Sequence, residues 1–291
     1  MGNSNPLPSS PLWDPLPFTK YTPEMLRQEI AKMQVQTTFI DSKQKLRIVV
    51  CGFGKVGKSA SINNILSAHE GGYTQPANTR GQRMQAVQKY VEYKMLIGDA
   101  RDTPYVLCEI PGFIDSENQN LQQVQTEATK AAIIGKFQSG DRMEYLSLTV
   151  EALANMETRQ ECAACVICVA DSTQLFDDVT SSQFQLLAPI LEFAHLNQIK
   201  IACLLTKCDR VDSTVAQSVT NIYYSQCVEQ TRCTLKQLFP GDRIFPIVNY
   251  TQQLVANADM MVPSLLALKH IMGDILSSLK RRVSTQDITK S

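Results

Sequence analysis

One short segment constrains this chain more than any other, because it matches a known strand–loop–helix pattern at every fixed position. Residues 52–59 read G-F-G-K-V-G-K-S and fit G-x-x-x-x-G-K-[ST], with an apolar β-branched run before them and a helical pattern after them. Glycines let backbone N–H groups turn inward around a phosphate, and the helix adds the positive end of its dipole. The alternative is a plain glycine-rich turn, which does not require this order of strand, loop and helix. The predicted phosphate contacts are Gly52, Phe53, Gly54, Lys55, Val56, Gly57, Lys58, Ser59 and Ala60.

Strand and helix patterns alternate along the rest of the chain. The predicted strands are residues 45–51, 84–96, 105–109, 163–170, 200–206 and 243–248, and the predicted helices are residues 23–35, 58–68, 121–136, 181–196, 214–235 and 263–280. Such alternation implies a mostly parallel six-stranded α/β sheet with helices on both faces. The link between the second and third strands is too short for a helix, so we expect one antiparallel hairpin there. Residues 137–161 form a polar segment that we interpret as a surface insertion.

Composition and charge exclude several classes of protein. Apolar residues make up 44% of the chain, which is typical of a folded globular protein. The 28 basic side chains balance 28 acidic ones, so the chain lacks the excess of basic residues that general nucleic-acid binding requires. No apolar run is long enough for a transmembrane helix, and the N-terminus lacks the apolar segment of a secretory signal. Nine cysteines, an odd number lying mostly in apolar runs, favour free thiols in a reducing compartment. We therefore expect a cytoplasmic protein without a transmembrane segment or a nucleic-acid partner.

The sequence divides into three predicted regions. Residues 1–44 form a proline-rich extended arm and a helix, residues 45–282 a nucleotide-binding domain, and residues 283–291 a flexible tail. The arm carries Trp13, the only tryptophan, among other apolar residues. We expect an arm with so much apolar surface to lie against the domain.

A carboxylate ends the third predicted strand, at the edge where ligands of open α/β sheets bind. Residues 106–112 read V-L-C-E-I-P-G, which resembles a D-x-P-G motif with Glu109 in place of Asp. Glu109 is predicted to hold Mg²⁺ through water, Ser59 to bind it through its hydroxyl, and Gly112 to donate its N–H to the terminal phosphate. Lys58 is predicted to reach the terminal phosphates. An ordinary Pro-Gly turn is the alternative interpretation of this stretch.

The fifth predicted strand ends in T-K-C-D, which matches the base-recognition pattern [NT]-K-x-D. Asp209 is predicted to accept two hydrogen bonds from guanine, and the stem of Lys207, which follows Thr206, to lie over the base. Adenine lacks that pair of donors and would leave the carboxylate unpaired. A solvated Lys-x-Asp after a strand is the alternative. The sixth strand ends in V-N-Y, and the predicted base-contacting residues there are Asn249 and Tyr250, an assignment that rests on position.

In this order the motifs resemble those of P-loop GTPases with the Ras-like fold, and more narrowly those of the interferon-induced protein 44 and 44-like family. The narrower resemblance rests on the phosphate loop, the L-L-T-K-x-D run, the V-N-Y strand end, the Trp13 arm and the C-terminal helix pattern, and covers about residues 13–280. It implies binding of a guanine nucleotide, GTP or GDP, and a role in innate or antiviral responses, and it does not settle whether GTP is hydrolysed.

The residues leave the question of hydrolysis open. Many GTPases carry a water-orienting Gln directly after the glycine of the D-x-P-G-like motif, where this chain has Phe113 after Gly112. Hydrolysis would therefore need a group from a protein partner or from a second copy in a nucleotide-dependent dimer. The polar loop of residues 71–82 offers two hydroxyls that could complete the Mg²⁺ site, those of Thr74 and Thr79, and we assign the role to Thr79 because it is nearer the second strand. Two functions follow: a slow GTPase switch, or a GTP/GDP-dependent interaction module without hydrolysis.

Overall fold

Six strands form a single sheet in the order β2-β3-β1-β4-β5-β6. The computed structural model describes residues 20–40, 45–77, 88–97, 101–174, 182–239, 243–249 and 257–288. The strands are β1 Leu46–Cys51, β2 Val91–Ile97, β3 Arg101–Glu109, β4 Cys165–Asp171, β5 Lys200–Thr206 and β6 Ile244–Pro246. All neighbouring pairs are parallel except β2 and β3. The predicted α/β sheet and its antiparallel hairpin are therefore confirmed.

The helices cover both faces of this sheet. They are α1 Pro23–Ile40, α2 Lys58–Glu70, α3 Gln119–Ile133, α4 Val150–Asn155, α5 Ser182–Leu196, α6 Cys208–Val211, α7 Ser213–Gln217, α8 Gln226–Leu235 and α9 Ala258–Ile288. Helices α1 and α2 pack on α9, whereas α3 packs on α4 and α5. Every residue of β1 and of β4 is buried, as expected for central strands covered on both sides.

The long helix predicted over residues 214–235 is wrong, because the structure divides it. Helix α7 is followed by a short 3₁₀ helix, Val219–Tyr223, and then by α8. The buried hydroxyl of Ser225 caps α8 by accepting from the N–H of Val228, and it donates to Asp212 at 2.5 Å. Side chains that bond to nearby backbone in this way favour helix ends over helix interiors.

The predicted insertion packs against the rest of the fold through a buried arginine. Arg47 on β1 is 1% exposed and donates to the carbonyl oxygens of Glu161 at 2.6 Å and Ala132 at 2.7 Å. It also donates to the Tyr90 hydroxyl at 2.6 Å. Four apolar residues of the segment are buried: Phe137, Met143, Tyr145 and Leu153. The segment is therefore part of the core as well as of the surface.

Helix α9 is the longest helix described and lies against the core. It continues to Ile288, through position 283 where we placed the start of a tail. By length and composition its span Ala258–Ser284 could cross a membrane, but 72% of its most apolar window is buried within the protein. That degree of burial is typical of a core helix.

Candidate functional site

The phosphate loop connects β1 to α2 at the carboxyl edge of the sheet. Its backbone takes positive φ angles at Gly52 (143°), Lys55 (66°) and Gly57 (102°), the last directly before α2. A Cβ atom at Gly52 would lie 2.5 Å from the carbonyl oxygen of Val169 on β4, so only glycine fits there. Phe53 and Val56 are buried, Lys55 is exposed, and Ala60 is partly exposed in the first turn of α2. The loop thus has the curvature expected of a phosphate cradle.

Lys58 is folded across this loop. Its side chain is 7% exposed, and its Nζ donates to the carbonyl oxygens of Phe53 at 2.9 Å and Gly52 at 3.2 Å. Burial lowers the pKa of Lys58 to about 8, although the nearby Glu109 carboxylate acts in the opposite direction. The ammonium group is therefore held close to the backbone amides that would surround a phosphate.

Two of the three predicted Mg²⁺ ligands are in contact. The Ser59 hydroxyl donates to one oxygen of the Glu109 carboxylate, and the Tyr93 hydroxyl donates to the other oxygen at 3.1 Å. Glu109 is fully buried, and burial raises its pKa, while the hydrogen bond from Ser59 and the charge of Lys58 act against that rise. The third predicted ligand, Thr79, lies outside the described residues.

This donor set suits a hard cation such as Mg²⁺. A hydroxyl and a carboxylate both bind through oxygen, the ligand atom that Mg²⁺ prefers. Among the described residues, no group of three or more His, Cys, Asp or Glu side chains could hold a metal ion. Mg²⁺ held by Ser59 directly and by Glu109 through water would accordingly take its remaining ligands from phosphate and water, as is usual for this ion.

Gly112 closes the phosphate end of the site. A Cβ atom there would lie 2.8 Å from both Gly54 Cα and Lys58 Nζ, so the position requires glycine. The next residue joins this segment to the phosphate loop: the N–H of Phe113 donates to Gly52 O at 3.0 Å, and the N–H of Gly54 donates to Phe113 O at 2.9 Å. Gly112 is thus placed next to Lys58, where a terminal phosphate is predicted.

The side chain of Phe113 points into the core. It is 2% exposed, and its ring centroid lies 5.5 Å from that of Phe53 in an edge-to-face arrangement and 6.3 Å from that of Tyr145. Tyr145 belongs to the insertion and donates its hydroxyl to Pro111 O at 2.8 Å. Phe113 therefore has neither the polar atom nor the exposure needed to orient a water molecule.

Thr206 joins the two halves of the candidate site. Its buried hydroxyl lies 2.6 Å from the carbonyl oxygen of Val56 in the phosphate loop and 3.0 Å from that of Ala170 on β4. Asp209 follows three residues later in the first turn of α6 and is partly exposed. Within the part of the chain that the structure describes, the Asp209 carboxylate makes no hydrogen bond or ion pair. Thr206 thus ties the T-K-x-D motif to the phosphate loop.

Lys207 contacts a carboxylate that sequence reasoning missed. Its backbone is left-handed, with φ 58° and ψ 27°, and its Nζ pairs with the buried carboxylate of Asp171 at the end of β4. Strands β4 and β5 are in register at Asp171 and Thr206, which brings the two side chains together. The signal was the acid that ends the fourth apolar run, one strand earlier in sequence than T-K-x-D. Tyr93 was also missed; it lies on β2 opposite Leu107, two residues before Glu109.

Asn249 contacts the phosphate loop through its side chain. Its Nδ2 donates to Ser61 Oγ at 3.1 Å and to Gly57 O at 3.4 Å. Asn64 on α2 donates to Val248 O at 2.9 Å and reinforces this junction. The predicted base contact at Asn249 is not tested by these bonds, and Tyr250 lies outside the described residues.

Strand order, phosphate loop and the two later motifs at the same sheet edge define the Ras-like P-loop GTPase fold. No protein-family model matches the sequence, and no curated protein matches it significantly. Similar solved structures include a probable GTP-binding protein, EngB, at 12% identity over 80% of this chain and 99% of that one, with a TM-score of 0.43. A dimerization-deficient mutant of Toc33 from Arabidopsis thaliana is 14% identical over 87% and 94% of the two chains, with a TM-score of 0.47. Toc33 in complex with Mg²⁺ and GMPPNP is 13% identical over 89% and 95%, with a TM-score of 0.44.

Proposed function

We propose that this protein binds GTP and GDP together with Mg²⁺. The observation that carries the proposal is the hydrogen bond from Thr206 to Val56, because it brings a phosphate loop and a T-K-x-D motif into direct contact at one edge of the sheet. A single nucleotide would then contact the loop amides and Lys58 at one end and Asp209 at the other. The burial of Glu109 against Ser59 supports the Mg²⁺ part of the proposal.

Different residues of the chain would bind different parts of the nucleotide. Lys58 offsets phosphate charge from a desolvated position, where an ion interaction is stronger than in water. Bound Mg²⁺, held by Ser59 directly and by Glu109 through water, would neutralise further phosphate charge. Asp209 accepts the two donors of the guanine edge, and adenine would leave that carboxylate unsatisfied.

A direct binding experiment tests the proposal. The full chain is titrated into a fluorescent GDP analogue with Mg²⁺, and unlabelled GTP, GDP and ATP are then used as competitors. We expect GTP and GDP to displace the analogue and ATP to fail. Equal competition by ATP would refute guanine recognition, and absence of binding at micromolar protein would refute the function altogether.

The buried Phe113 favours the second candidate function, an interaction module that binds nucleotide without useful hydrolysis. We propose that the protein alone turns GTP over no faster than the buffer does. Phosphate release is measured at several protein concentrations, because a group donated by a second copy would make the rate per molecule rise with concentration. A constant rate above background would instead support intrinsic GTPase activity.

The cellular setting is proposed from the sequence resemblance. Kinship with the interferon-induced protein 44 and 44-like family would imply a cytoplasmic protein with an innate-immune or antiviral role and a protein partner. An increase in the amount of this protein after interferon treatment of its host cells would support that proposal, and an unchanged amount would count against it.

A further inference from the structure

A buried carboxylate lies beside the candidate base site. Asp171, the last residue of β4, is 2% exposed. One of its oxygens accepts from the N–H of Thr173 at 2.9 Å and from the Thr173 hydroxyl at 2.7 Å, and the other pairs with Lys207. Hydrogen bonds on both oxygens fix the orientation of the carboxylate. A buried anion needs such partners to remain charged.

Lys207 is fixed at both ends by this arrangement. Its backbone is held in the left-handed region next to Thr206, which is tied to the phosphate loop, and its ammonium group is held by Asp171. Its side chain remains 24% exposed. A free lysine side chain loses rotamer entropy when it is ordered. Asp171 imposes that order before any ligand arrives.

The ion pair is not needed to hold the two strands together. Strands β4 and β5 are already paired in register along seven residues, from Cys165 opposite Lys200 to Asp171 opposite Thr206. The N–H of Ser172 extends the pairing by donating to Thr206 O at 3.0 Å. The contact between Asp171 and Lys207 is therefore an addition to a complete ladder, at the edge where the base is predicted to bind.

We propose that Asp171 is a positioning residue for the purine base. It acts through Lys207, whose aliphatic stem it holds as one wall of the base pocket between the phosphate loop and Asp209. This inference rests on the proposed nucleotide binding and assigns a determinant to its base half. It requires that Asp171 influence ligands that contain a base and leave ligands made only of phosphate unaffected.

The test compares a nucleotide with its phosphate part. Affinities for GDP and for inorganic pyrophosphate, both with Mg²⁺, are measured on the full chain by calorimetry for the wild type, Asp171→Asn, Lys207→Met and the double variant. Asp171→Asn keeps the shape of the side chain but removes its charge, and Lys207→Met keeps much of the stem but removes the ammonium. We expect each single variant to bind GDP about tenfold more weakly, a loss of about 1.4 kcal/mol, with pyrophosphate affinity within about twofold of the wild type. The double variant should lose no more than either single one, because both changes release the same stem.

The matched control is Asp274→Asn. Asp274 on α9 forms an ion pair at 2.7 Å with Arg243, the residue before β6, so this variant also breaks an ion pair between two elements. It should bind both ligands like the wild type. Unchanged GDP affinity in Asp171→Asn, or an equal loss of GDP and pyrophosphate, would overturn the proposal; if Asp171→Asn does not fold, Lys207→Met alone decides by the same two affinities. If the wild type binds pyrophosphate but not GDP, both the proposed function and this inference are refuted. If the wild type binds GDP and Asp171→Asn binds it equally well, only the role of Asp171 is refuted.

Discussion

The hydroxyl of Thr206 lies 2.6 Å from the carbonyl oxygen of Val56, 150 residues earlier in the chain. This bond joins the end of β5 to the phosphate loop and determines how the two predicted recognition motifs face each other. Thr206 is fully buried, so no water molecule replaces the bond from outside. The two motifs are therefore linked by a contact inside the protein.

Replacing Thr206 by valine should weaken both the fold and nucleotide binding. The change leaves buried carbonyl oxygens without their donor, which costs about 1–3 kcal/mol of the free energy of unfolding. We expect GDP affinity to fall about tenfold as the loop and the T-K-x-D motif lose their register. Thr37→Val is the control, because Thr37 is equally buried and donates to Met33 O at 2.8 Å on α1, away from the site. It should lose stability and keep its affinity; if Thr206→Val also keeps its affinity, the bond does not organise the pocket.

Replacing Lys58 by methionine should separate binding from stability. Nucleotide binding should be lost because the ammonium near the phosphates is removed. The free energy of unfolding without nucleotide should stay unchanged or rise by up to about 3 kcal/mol, because each unit by which burial lowers the pKa corresponds to about 1.4 kcal/mol. Denaturant titrations and GDP binding measure the two effects, with Lys280→Met on the exposed part of α9 as the control. A Lys58→Met variant that binds GDP normally would contradict the role of the loop.

Replacing Asp209 by asparagine should change which base is bound. An amide presents a donor where the carboxylate presented only acceptors. We expect weaker binding of GDP and stronger binding of the xanthosine diphosphate, whose ring carries an additional oxygen at the position that Asp209 would face. Competition against fluorescent GDP and fluorescent xanthosine diphosphate measures the ratio. An unchanged ratio would remove Asp209 from the base pocket.

Replacing Phe113 by alanine should destabilise the protein. Phe113 packs against Phe53 and Tyr145, and removing a buried phenylalanine ring costs about 3–5 kcal/mol. The variant should not gain GTP hydrolysis, because alanine supplies no polar group. Denaturant unfolding and phosphate release are the measurements. A loss below about 1 kcal/mol would show that the aromatic cluster contributes little.

The half-buried His69 should make the protein sensitive to acid. Burial, and secondarily the charge of Arg27, lower the pKa of His69 to about 4 from 6.5, so the unfolded chain binds more protons than the folded one between these values. Stability is therefore fully present above pH 6.5 and falls as the pH drops toward 4, by up to about 3 kcal/mol. His69→Gln should remove this part of the pH dependence of the free energy of unfolding, whereas His195→Asn should not. Parallel pH profiles for the wild type and His69→Gln would refute the assignment.

Local patterns predicted much of this architecture. The phosphate loop, the hairpin between β2 and β3, and the carboxyl-edge positions of Glu109 and Asp209 follow from short stretches of sequence. Each depends on glycine conformation, strand periodicity or connection length, which are properties of neighbouring residues. The break between α7 and α8 was missed because Ser225, whose hydroxyl caps α8, is itself held by a hydrogen bond to Asp212, thirteen residues away.

The order of motifs along the chain was enough to determine a strand–loop–helix phosphate cradle and a mostly parallel sheet, since backbone sterics and apolar periodicity act between near neighbours. Only the tertiary structure could decide that Asp171 pairs with Lys207, that Tyr93 bonds to Glu109, and that Tyr145 packs on Phe113. Those contacts join distant segments, and burial makes their pairing obligatory because water is not there to satisfy the polar atoms. No local sequence pattern specifies which distant residue a side chain will contact.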